Sequence, residues 1–136
     1  PQNDKLWNSG TEEEPLKTEY DPCPSGWRVP TYAELDQLND NFEWTTLDTQ
    51  RGFYLSGEYT YLDEVPKIFL PAAGSRYGVN GNVYERGQYE GRYWSSRPYY
   101  VYYDRAYYLG FVNTSSVFIE GNSSRSAGFS VRCVQE

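Results

Sequence analysis

From residue 50 onward the chain is written in short apolar runs cut by turn residues. The runs are "GFYLSG" (52–57), "KIFLPAAGSRYG" (67–78), "RYWSS" (92–96), "AYYLGFV" (106–112), "SVFIEG" (116–121) and "GFSVRCV" (128–134). Runs this short, separated by Gly, Asn, Ser and Pro, read as strands and tight turns. "KIFLP" is a buried run that breaks at Pro71. The last four runs are spaced as an antiparallel meander of three or four strands, and "GNSSRSAG" (121–128) reads as turn chemistry. Helical pattern is confined to "TYAELDQLNDNF" (31–42). Thr31 is a good N-cap, Glu34 completes a capping box, and Leu35, Leu38 and Phe42 recur at helical spacing. Residues 1–20 read as an irregular entry segment anchored by Trp7 and Tyr20, with Glu12, Glu13 and Glu14 on a solvated turn. Residues 21–30, "DPCPSGWRVP", read as an ordered loop leading to a short strand.

Successive strand residues point to opposite faces. Alternation therefore puts Tyr107, Leu109 and Phe111 on one face and Tyr108 and Gly110 on the other. It turns Val117 and Ile119 inward, Phe118 and Glu120 outward, and Phe129, Val131 and Cys133 inward. The stretch "PYYVYYDRAYY" (98–108) holds six tyrosines in three adjacent pairs. Each pair on a strand sends one phenol in and one out, so large rings are expected on an outer face.

The chain has 136 residues, enough for one domain with one core. Its net charge of −7 argues against nucleic acid and against docking on anionic lipid. The sequence contains no histidine, which removes the commonest general base and metal ligand. No apolar run is long enough to span a membrane, so any attachment is expected from an upstream segment. Cys23 and Cys133 stand near the two ends of the domain. In an exported protein they would be joined; in a reducing cytosol they would be two buried thiols.

The segments "DPCPSGWRVPTYAELDQL", "IFLPAAGSRYG", "GRYWSS", "AYYLGF" and "GFSVRCV", in that order, resemble the Fibrobacter succinogenes major paralogous domain over about residues 5–135. "GWRVPTYAEL" is also similar to a segment of formylglycine-generating-enzyme-like domains. The resemblance implies a single C-type lectin-like α+β domain over 1–136: one or two helices, a small mixed or antiparallel sheet, and long loops. It implies neighbouring N- and C-terminal segments, in accord with a Cys23–Cys133 bridge. It also implies a core role for Trp27 and a buried hydrogen-bond network for Arg28. Relatives are surface and secreted proteins of Bacteroidetes and Fibrobacteres, including lipoproteins, so an extracellular or cell-surface location follows. The stretch 93–129 resembles the variable region of proteins diversified by retroelements, in which Tyr, Ser, Gly and Asn alternate with fixed inward residues. The same residues dominate antibody paratopes.

Chemistry finds less support. The sugar-binding calcium motifs of C-type lectins are absent, and Asp63 with Glu64 is too small a carboxylate set for a specific metal site. Asp63, Glu85 and Asp104 are carboxylates of the kind a glycosidase pairs across a cleft, but any acidic protein offers such pairs. No metal and no cofactor is expected. The reading is a non-catalytic receptor or adhesin domain of a bacterial or phage surface protein. Its partner is a protein or a glycan. The expected contact set is Tyr100, Tyr102, Tyr103, Asp104, Tyr108, Phe118, Glu120 and Asn122, with Arg97 and Arg105 at the rim. The alternative is a structural module of a surface lipoprotein or fimbrial tip.

Overall fold

A computed structural model of the chain describes residues 3–39, 41–47, 50–56, 67–84, 89–112, 114 and 116–136. Strand accounts for 44% of the structure and helix for 6%, with no described helix of seven residues, so the chain is a protein of several antiparallel sheets. The expected α+β class, and with it the C-type lectin-like fold, does not hold. The reason lies just after the predicted helix start. Helix α1 covers only Tyr32–Asp36, followed by a 3-10 turn at Gln37–Asn39. "NDN" at 39–41 is poor helix sequence, and the next residues have an alternating aromatic and β-branched pattern. They form strand β2 (Asn41–Leu47), which pairs along its whole length with β3 (Gln50–Ser56). Phe42, read as a helical core residue, is thus a strand residue opposite Leu55.

The remaining strands are β1 (Trp27–Arg28), β4 (Ile68–Pro71), β5 (Ser75–Arg76), β6 (Val83–Tyr84), β7 (Gly91–Pro98), β8 (Arg105–Phe111), β9 (Phe118–Ser124) and β10 (Val134–Gln135). Among the described residues they form two three-stranded sheets, β2-β3-β4 and β7-β8-β9, and two small pairs, β1-β10 and β5-β6. The core lies where the larger sheets meet. Phe53, Leu55 and Leu70 from one join Tyr93, Leu109, Phe111 and Ile119 from the other, with Leu35 from α1. Phe53 and Phe111 meet edge to face at 4.9 Å. The Tyr93 hydroxyl donates to the Pro71 carbonyl at 2.7 Å, and burial pushes its pKa up.

The meander is real for its first three strands. The fourth run behaves differently. Residues 128–133 make only single bridges, antiparallel at Arg76–Gly128 and parallel at Tyr93–Ser130, before β10 pairs with β1. Phe129, expected inward, instead stacks on Trp94 at 4.3 Å on the far face of β7-β8-β9. The turn expected at 121–128 is shorter, because β9 continues to Ser124.

The loop before β1 is ordered from within. Asp21 is buried and accepts from the backbone N–H of Cys23 (2.8 Å) and of Val29 (2.9 Å). The Lys17 ammonium donates to the carbonyls of Cys23, Pro24 and Trp27 and pairs with Asp21 at 3.2 Å. Cys23 and Cys133 form a disulfide, with Cα atoms 5.9 Å apart. Arg28 is buried in a fork to Glu34, at 2.7 and 2.6 Å. Trp27, for which the resemblance implied a core role, is exposed on an edge pair with only two residues a side, and Tyr20, expected to anchor the entry segment, is exposed as well. Glu12 is not merely solvated, since it accepts from the Ala33 N–H at the start of α1. Among the described residues no helix is long and apolar enough to cross a membrane.

Candidate functional site: a tyrosine and arginine hairpin

Strands β7 and β8 pair from Gly91–Phe111 to Trp94–Tyr108, then shift register before Pro98–Ala106. Residues 99–104 form the connecting loop. The Tyr99 N–H donates to the Arg105 carbonyl, and the Arg105 N–H donates to the Tyr102 carbonyl, each at 3.0 Å. Arg125, in the turn after β9, braces the loop from the side. Its N–H donates to the Asp104 carbonyl (2.8 Å), its Nε to the Arg105 carbonyl (3.0 Å), and its guanidinium pairs with Asp4 (2.6 Å). A loop held this way has little entropy left to lose on binding. It displays four consecutive large side chains: Tyr100 is 65% exposed, Val101 66%, Tyr102 58% and Tyr103 71%.

Below the tip the rings form a chain. Tyr99 stacks on Tyr102 at 6.1 Å and meets Tyr107 edge-on at 5.1 Å; Tyr107 meets Tyr32 of α1 at 4.9 Å. Two arginines are threaded through it. The Arg97 guanidinium lies 5.1, 5.3 and 5.6 Å from the ring centres of Tyr32, Tyr107 and Tyr100. Arg105 lies 5.5 Å over Tyr102 and donates to the Asn122 side-chain oxygen at 3.0 Å. Such cation–ring contacts attract through the ring quadrupole. The inner face of the meander therefore changes character along its length, from buried core to a half-open tyrosine and arginine platform.

The expected contact set divides between two faces. Arg97, Tyr100, Tyr102, Arg105 and Asn122 come together on the platform, with Tyr103 and Asp104 exposed beside them. Tyr108 and Phe118 do not belong to it. Tyr108 was expected outward on display, but it is only 7% exposed. Its ring is surrounded by Trp94, Phe118 and Phe129 at 4.9–6.0 Å. It lies over two glycines: a Cβ on Gly121 would stand 2.6 Å from the ring, and one on Gly110 2.7 Å. Burial raises the Tyr108 pKa, with Arg92 opposing. Phe118 is half-buried in the same cluster. The N-terminal segment also lies over this face, where Leu6 and Trp7 border a small cavity of about 120 Å³ with Trp94, Pro98 and Ala106. Alternation gave the faces of β8 correctly, but the second face is covered too.

Asn122 reaches the platform through a bulge. Tyr108 pairs with Gly121 and Gly110 with Phe118, so two steps on β8 face three on β9. The extra residue turns Asn122 to Tyr107's side, away from Phe118. The Glu120 side chain, Asp63, Glu64 and Glu85 lie outside the described residues. Sequence reasoning missed Tyr32 and Val101, left Tyr99 out of the contact set and gave Tyr107 wholly to the core. Tyr32 carried no local signal, since its partner stands 75 positions away.

These features define a disulfide-closed antiparallel β domain with an aromatic hairpin on display. The chain belongs to the family described as Domain of unknown function (DUF8237), whose model matches residues 60–134. The match takes in the hairpin and Cys133 but not Cys23. No curated protein and no solved structure matches the chain.

Proposed function

We propose that this domain is a non-catalytic recognition module of an exported bacterial or phage surface protein, which binds a protein or glycan through the end of the β7–β8 hairpin. One observation carries the reading: residues 100–103 are all large, all more than half exposed, and sit on a loop fixed by backbone hydrogen bonds and by Arg125. Soluble proteins do not usually leave so many adjacent apolar and aromatic groups in water without a use for them. Tyrosine suits the role because its rigid ring offers contact area and its hydroxyl a hydrogen bond. The disulfide supports export. The sequence resemblance to the major paralogous domain supports a surface location with an anchor supplied upstream.

The test is a paired screen on glycan arrays and on arrays of surface-protein ectodomains. The full chain is compared with Tyr102→Ser/Tyr103→Ser. The reading expects one or more specific ligands for the wild type, lost in the variant at unchanged melting temperature. Ligands bound equally by both would place recognition elsewhere and overturn it.

A further inference from the structure

Resting on that recognition reading, we propose that the hairpin's partner is a protein with an acidic cleft, whose carboxylates dock on Arg97 and Arg105. The chain carries a net charge of −7, yet its hairpin platform brings together two arginines, with Asp104 as an exposed carboxylate beside them. Three other arginines are neutralised: Arg28 by Glu34, Arg92 by Glu90 and Arg125 by Asp4. Among the described residues no carboxylate comes within ion-pair distance of Arg97 or Arg105.

Arg97 is the sharper case. Its faces are taken by tyrosine rings, and its Nε is buried with no acceptor. A guanidinium stacked on aromatics can still offer its terminal Nη1/Nη2 edge to a carboxylate in two parallel bonds, and with Nε buried that edge is the one a partner would grip. Arg105 is held in a similar way, over Tyr102 and against Asn122. Both cations are therefore fixed in place before any partner arrives, which favours a partner of opposite charge in rate and in register.

The shape selects a protein over a sugar. The exposed rings end a hairpin, so they present outward. A glycan would meet one or two of them at a time. A partner with a cleft encloses the whole end, as concave epitopes enclose a long paratope loop.

The experiment is an NMR titration of the full chain, read at the arginine Nε–H signals, with hexaglutamate at low salt. Hexaglutamine and an oligogalacturonate serve as comparison probes. Arg76 and Arg132, exposed elsewhere on the chain, are internal controls. The inference expects saturable shifts at Arg97 and Arg105 that exceed those at the controls and fade with salt. It expects Arg97→Gln and Arg105→Gln each to weaken hexaglutamate roughly tenfold or more. If loss of its ring contacts unfolds Arg97→Gln, Arg105→Gln decides alone. Four results would overturn the inference: no shift at millimolar hexaglutamate, equal shifts at the controls, equal response to hexaglutamine, or tighter binding of the oligogalacturonate. The screen above separates the two readings. Should Tyr102→Ser/Tyr103→Ser lose its ligand while the arginine variants keep theirs, recognition by the hairpin stands and the acidic partner falls. If no variant loses a ligand, both fall.

Discussion

Tyr108 and Tyr103 are five residues apart and differ in almost everything that matters. The Tyr108 ring fills a bed left by Gly110 and Gly121 and is closed over by Trp94 and Phe129, whereas Tyr103 stands in water. Removing a buried aromatic ring leaves a cavity that costs about 3–5 kcal/mol. Tyr108→Ala is therefore expected to lose about that much in urea unfolding, and Tyr103→Ala to stay within about 0.5 kcal/mol of wild type. Equal losses would show that the two rings are not in the environments described. Alternation along "AYYLGF" does separate Tyr107 and Leu109 from Tyr108. It does not say whether the second face is covered. The hint was present in the glycines at 110 and 121, which make room for a ring, and in Phe129 after "SSRSAG". Neither becomes a contact until the strands are in register.

At the scale of elements, the α1 start shows how far local rules reach. The capping box of Thr31 and Glu34 is read from four residues, and it forms: the Glu34 N–H donates to the Thr31 hydroxyl, and the Thr31 N–H donates to the Glu34 carboxylate. The same carboxylate grips Arg28, so one side chain ties β1 to the helix. Burial alone would raise the Glu34 pKa, but hydrogen bonds from Arg28 and Thr31 outweigh it and hold the carboxyl below its usual value. A carboxylate with a lowered folded pKa adds stability above its unfolded pKa of about 4.3 and loses it as pH falls through the folded value. Stability is thus expected to drop below about pH 4, with a shallower acid slope in Glu34→Gln, as followed by denaturant midpoints across pH. An unchanged slope would mean that Glu34 is not a linked group. The end of the helix was not legible in the same way. Leu38 and Phe42 fit helical spacing, yet Phe42 and Trp44 also fit a strand against Phe53, and the sheet wins because it sets both rings edge-on to Phe53.

For the whole molecule, the long-range joins decide the architecture. β1 and β10 hold only two residues each, and neither announces its partner, since pairing across the chain depends on everything folded between them. The cysteines were the one distant pair that could be named from sequence, because there are only two. The α+β expectation came with the resemblance and with the helix read over 31–42; that helix ends at Asp36, and the strand-and-turn punctuation of the rest of the chain prevails. The bridge closes a loop with a separation of 110 residues. Cys23→Ser/Cys133→Ser is expected to lose roughly 2–5 kcal/mol in chemical denaturation. A loss near zero would show that the sheets alone fix the two ends. The bridge has a mechanical consequence as well. Tension applied to the chain before Cys23 and after Cys133 would run straight across the sulfur–sulfur bond. The strands of the hairpin, lying within the bypassed loop, would not carry that tension; what it would strip away is the N-terminal brace, the Asp4 pair with Arg125 and the cover of Leu6 and Trp7.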